Sequence, residues 1–153
     1  MHIKVFTIEK SSDKALDGIA QEFTKMISRF AKVEEIKIFN KQIALSQSLG
    51  EKEARASYTK AYEPFLKGYN VALDVEGLHV NSHEFSSLFE HDVSVNFFIG
   101  GAFGFERAFL QQTQKIISLS RLTYAHKIAK VVLFEQIYRG RSEDTRLNSS
   151  HAN

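Results

Sequence analysis

Two short loops and one helical segment carry the residue types that could do chemistry. Gly100-Gly101-Ala102-Phe103-Gly104 directly follows an apolar run at 93–99. Glycine takes positive φ freely and lets a backbone approach a ligand closely, so this spacing fits a tight structural turn and a ligand loop equally well. It is not a dinucleotide fingerprint, which needs G-x-G-x-x-G after the first strand and an acidic residue about twenty positions on. Nor is it a P-loop, since no Gly-Lys-Ser/Thr follows. A second polar loop, residues 120–125, follows the apolar run 116–119. Loops that each follow a strand sit at the carboxyl edge of a sheet, where open α/β folds bind ligands. Farther on, Glu135-Gln136-Ile137-Tyr138-Arg139 places a carboxylate and a guanidinium four apart on one helical face. That spacing makes either an intrahelical ion pair or an arginine held for phosphate or developing charge.

Other chemistries lack their residues. With no cysteine among 153 residues, disulfides, thiolate metal sites and cysteine nucleophiles are excluded. His79 and His83 are four apart but straddle the turn Val80-Asn81-Ser82, and no His-Glu-x-x-His occurs, so no metal site is expected. No Gly-x-Ser-x-Gly elbow marks a serine hydrolase. A chain of this length with 43% hydrophobic residues makes one domain with a real core. No apolar run approaches the ~20 residues of a membrane span. The opening MHIKVFTIEK lacks a signal-peptide pattern, so the chain reads as cytoplasmic. A net charge of +2 permits RNA binding without arguing for it.

The elements that must position these loops read in order. Ile3, Val5 and Ile8 mark a first strand. Ser11 or Ser12 is placed to cap a helix whose apolar residues Leu16, Ile19, Ala20, Phe23, Met26, Ile27 and Phe30 recur at three- and four-residue steps. Its charges, Asp17, Glu22, Lys25 and Arg29, read as a solvated face. A second strand spans 33–39. Residues 40–49 read as a mobile surface loop, followed by a helix from about Glu51 that Pro64 bends or ends. A third strand, 70–75, ends at a turn through Glu76-Gly77. Asn81 and Glu84 form a capping-box start for a helix at 82–89. After the two loops, a long amphipathic helix begins near His126. Alternating strands and helices, with near-continuous apolar runs in the third and fourth strands, predict an α/β fold: a mostly parallel sheet with helices on both faces.

Several short motifs recur together in one known family. Leu73-Asp74, Ile99-Gly100-Gly101-Ala102-x-Gly104, Leu119-Ser120-x-Leu122-Thr123, His126 and Glu135-Gln136-x-Tyr138-Arg139 stand in the order and spacing of the ribosomal RNA large subunit methyltransferase H family. Over residues 1–139 the chain resembles these pseudouridine N3-methyltransferases of the knotted SPOUT superfamily. The resemblance implies a SPOUT-type sheet with a C-terminal trefoil knot, a homodimer, and S-adenosylmethionine held in the loops of the knot. Its substrate would be a pseudouridine in large-subunit (23S) ribosomal RNA within the assembled ribosome. Carried over, the cofactor contacts are Leu73, Gly100, Leu119, Ser120, Arg121, Leu122, Thr123 and Tyr124. Tyr138 and Arg139 match the family's Tyr-Arg pair, with Arg139 orienting RNA or stabilising the imide anion. His126 matches a position beside the cofactor loop and reads as a supporting residue.

Two departures from the family stand out. Ala125 replaces a proline, and residues 140–153 replace a short extension ending in a His-Pro-Tyr-His-type motif. With Leu147 its one large apolar residue, this segment reads as a disordered or foreign tail apart from the 1–139 domain. Without the resemblance, a non-catalytic α/β module that binds a nucleotide or RNA end at residues 100–104 fits the same loops.

Overall fold

Strand β1 (His2–Ile8) is an interior strand of the sheet, and its alternate residues feed two separate cores. The computed structural model describes residues 1–10, 12–90 and 93–152, with side chains up to residue 142. Within these the chain forms a five-stranded sheet in the order β2-β1-β4-β3-β5, every neighbouring pair parallel. The remaining strands are β2 (Lys32–Ile38), β3 (Tyr69–His79), β4 (Ser94–Ile99) and β5 (Lys115–Ser118).

Among the described residues six α-helices cover both faces, as the alternating pattern predicts. On one side α1 (Lys14–Ile27), α4 (Ser82–Ser86) and α6 (His126–Ala152) pack on Ile3, Val5, Val95 and Phe97. On the other, α2 (Lys41–Leu49), α3 (Glu51–Tyr62) and α5 (Arg107–Leu110) pack on Phe6, Ala72 and Phe98. Phe6 and Phe98 stack with ring centroids 4.7 Å apart, because parallel neighbours Phe6 and Phe98 are register partners.

Four local expectations are corrected. The N-cap of α1 is Asp13, whose carboxylate accepts from the Leu16 amide at 3.1 Å; Ser11 lies outside the described residues. Residues 41–49 are helix rather than loop. Asn40 caps α2 by accepting from the Ile43 amide at 2.8 Å, and only Ile43 and Ser46 are buried, so the apolar stripe was too thin to signal a helix. The third strand also does not stop at Glu76-Gly77. Residues 74–77 bulge out, so that Leu73 and Leu78 both face Ile117, and β3 then continues. A Cβ on Gly77 would come within 2.7 Å of the Ile117 backbone, which is why a glycine stands there. Of the charges read as a solvated face of α1, Asp17 is instead half-buried and bonded to Lys37 and Lys130.

Two other local expectations hold. Pro64 lies in a 3₁₀ turn, Glu63–Phe65, that ends α3. The capping box of α4 forms both its bonds, Glu84 amide to Asn81 at 2.7 Å and Asn81 amide to Glu84 at 2.9 Å. The expectation of a separate tail concerns residues 140–153. The backbone continues α6 as far as Ala152, and the side chains of 143–153 lie outside the described residues.

Candidate functional site

Because β4, β3 and β5 are adjacent, three segments meet at their carboxyl ends: the glycine loop after β4, the bulge in β3 and the polar loop after β5. Together with the first turn of α6 they enclose a cleft of about 450 Å³. Its apolar wall includes Leu73, Ile99, Leu119 and Ala129. Asp74, in the bulge, is the one carboxylate among the lining residues, and it accepts from the Glu76 amide at 3.0 Å.

The polar loop is shaped by its own serines. Ser118 donates to the Ser120 carbonyl at 2.7 Å, and the Ser120 hydroxyl accepts from the Leu122 amide at 3.0 Å, a local turn in the cleft wall. His126 begins α6 at the cleft wall. Burial pushes its imidazole below the ordinary value, ahead of the opposing attraction of Glu9, so the ring is neutral near pH 7.

The glycines have distinct reasons. Gly104 alone of the three has positive φ, +80°, and its amide donates to the Gly101 carbonyl at 3.1 Å to close the turn. A Cβ on Gly101 would lie 2.5 Å from the Tyr58 ring, and one on Gly100 would lie 3.2 Å from Gly104 Cα. Close approach, more than φ, dictates this sequence.

A family model described as "Predicted SPOUT methyltransferase" matches residues 1–142. The chain belongs to the SPOUT methyltransferase family. Among curated relatives, "Ribosomal RNA large subunit methyltransferase H" of Aliarcobacter butzleri is 54% identical over 139 residues, 91% of this chain and 92% of that one. The protein of the same name from Campylobacter concisus is 46% identical over 140 residues, 92% of this chain and 93% of that one. Among solved structures, the SpoU methyltransferase AviRb from Streptomyces viridochromogenes superposes with a TM-score of 0.52 at 10% identity. That match covers 94% of this chain and 61% of the other, and it shows a shared fold.

In this SPOUT methyltransferase the cleft gathers seven of the eight expected cofactor residues: Leu73, Gly100, Leu119, Ser120, Leu122, Thr123 and Tyr124. Arg121 is exposed and does not line it. The Tyr-Arg pair lies elsewhere. Tyr138 packs on the α1 side, its ring 6.3 Å from Phe23 and 6.4 Å from Phe30. Arg139 bonds Glu135 at 2.9 and 3.2 Å, the ion pair that the four-residue spacing allowed. At 1.5 Å per residue, Arg139 stands roughly 20 Å along α6 from His126. Neither side chain lines the cleft of its own chain.

Sequence reasoning missed the residues beneath the glycine loop. Arg55, Tyr58 and Tyr62, on one face of α3, contact the loop or the end of β4; the helix itself was expected, but contacts spanning up to 48 positions leave no local signal. Among the described residues no group of His, Asp or Glu could hold a metal ion, and no helix is long and apolar enough to cross a membrane.

Proposed function

We propose that this SPOUT methyltransferase uses S-adenosylmethionine to methylate N3 of a pseudouridine in large-subunit (23S) ribosomal RNA, acting as a homodimer on the assembled ribosome. The observation that carries the reading is the convergence of Leu73 with the 100–104 and 119–124 loops in one cleft. The names of its relatives support rRNA as the substrate.

The residues present fit the cofactor. Leu73, Ile99 and Leu119 offer an apolar surface for an adenine ring, and the backbone groups of residues 120–124 can pair with its polar edge. Asp74 can accept from hydroxyl or ammonium groups. When bound, the cofactor supplies a methyl group on a cationic sulfur. The neutral His126 adds no positive charge against it, and the close-packed glycine turn fixes the cleft wall. Positioning of this kind lowers a displacement barrier by several kcal/mol.

The acceptor imide must lose a proton, which a positive charge nearby would favour. Tyr138 and Arg139 are proposed to serve there from the second copy, since one chain leaves them away from its own cleft. The exposed apolar residues Val75 and Leu122 at the cleft mouth support a second copy covering it. The strand order that seats β5 beyond β3, and the meeting of the two loops, support a trefoil knot around the cleft. A cytoplasmic location follows from a ribosomal substrate.

The test is a calorimetric titration of S-adenosylmethionine into the protein and into Gly100→Arg, followed by methyl transfer from labelled cofactor to ribosomes. Saturable binding lost in the variant, with label in the large-subunit RNA, is the expected result. Absence of wild-type binding overturns the cofactor reading. Binding without transfer favours the non-catalytic module.

A further inference from the structure

The glycine loop has little to hold it from within. Its internal bond is the single turn from the Gly104 amide to Gly101, and three of its five residues have no side chain beyond hydrogen. The loop is instead fixed from outside by one face of α3, where Arg55, Tyr58 and Tyr62 lie at three-, four- and seven-residue steps. Tyr62, fully buried, donates to the Ile99 carbonyl at 2.6 Å, just before the loop. The Tyr58 ring fills the space that a Cβ on Gly101 would need, and its hydroxyl donates to Gln47 on α2. Arg55 Nε donates to the Phe103 carbonyl at 2.7 Å, at the apex of the loop, while its Nη2 pairs with Glu51.

These contacts differ in weight. The Arg55–Glu51 pair is an exposed pair one turn apart, of the kind that contributes little. The bond to Phe103 is charge-assisted, partly buried and spans 48 residues, and it holds a carbonyl whose neighbours Ala102 and Gly104 line the cleft.

We propose that Arg55 is a positioning residue for cofactor binding: by holding the Phe103 carbonyl it fixes the glycine loop in the shape that admits the ligand. The inference rests on the S-adenosylmethionine reading above and extends it to a helix that does not touch the cleft. Arg55 itself contacts no reacting atom.

The experiment compares wild type, Arg55→Gln, Arg55→Lys, Glu51→Gln and the exposed same-helix control Lys60→Gln. Titration gives Kd for S-adenosylmethionine, and amide hydrogen exchange reports residues 101–105 without ligand. Arg55→Gln is expected to weaken binding about tenfold and to speed exchange in the loop, as loss of one charge-assisted bond allows. Steady-state turnover should show the loss in KM for the cofactor, with KM for ribosomes and kcat at saturation within about twofold. Arg55→Lys, which keeps a donor but not the fork, should recover part of the affinity. Glu51→Gln should change it less than about threefold, and Lys60→Gln not at all. Wild-type binding matched by Arg55→Gln overturns this inference alone. Absence of wild-type binding overturns the cofactor reading, and this inference falls with it.

Discussion

His126 carries a charge state that depends on the cleft around it. Burial lowers its folded pKa below the ordinary 6.5, outweighing the attraction of Glu9, with Lys127 and Lys130 pushing the same way as burial. As pH falls, the unfolded chain therefore takes up this proton first. The stabilising contribution is complete above pH 6.5 and is lost as pH falls through the folded value. His126→Gln should flatten that part of the stability profile, read as the denaturation midpoint while pH falls below 6.5. A protonated ring would also repel a cationic cofactor, so wild-type affinity should fall over the same window and that of the variant should not. At this scale the sequence was informative about where glycines and polar residues cluster and silent about why. Gly101 stands where it does because the ring of Tyr58 comes close, a contact between residues 43 positions apart that no local pattern encodes.

Helix α6 is fastened by a buried charge. Lys130, fully buried, bonds Glu9 at 2.9 and 3.1 Å, Glu35 at 2.7 Å and Asp17 at 3.3 Å, so the helix is tied to β1, β2 and α1 at one point. Burial alone would lower the lysine's pKa, but the bonds to Glu35 and Glu9 reverse this and hold it raised. Lys37 bonds Asp17 at 2.8 Å and, as the leading influence, holds that carboxyl below its ordinary 3.8. Lys130→Met would strip the fully buried Glu9 carboxylate of its cation, while Lys37 still pairs with Asp17, and should cost about 3–5 kcal/mol in denaturant unfolding. In the sequence Lys130 looks like one more polar position in an amphipathic helix. Its partners come from three distant elements, and only the assembled sheet brings them together. The same limit hid α2, whose thin apolar stripe is completed by burial against α3 and the sheet rather than by its own pattern.

The alternation of strands and helices made the parallel α/β architecture legible, since near-continuous apolar strands demand cover on both faces. The strand order β2-β1-β4-β3-β5 and the β3 bulge were not, because both depend on pairings between segments far apart in the chain. The cleft inherits that division: its loops could be read from glycine and serine spacing, whereas the α3 face beneath them could not. If Val75 and Leu122 are covered by a second copy, sedimentation should give a mass near twice the 17.4 kDa of the chain, and Leu122→Glu should lower it. The Glu9–Lys130 bond has a further consequence, in time rather than space. It joins residues 121 positions apart, so the carboxylate at the end of the first strand must wait for nearly the whole chain before its cation arrives. During synthesis at about 5–20 residues per second, the early β1–α1–β2 unit spends many seconds with its acidic cluster lacking Lys130. Completion of the fold is thereby deferred to the docking of the last helix, and a chain truncated before Lys130 should stay open to proteases rather than close into a smaller domain.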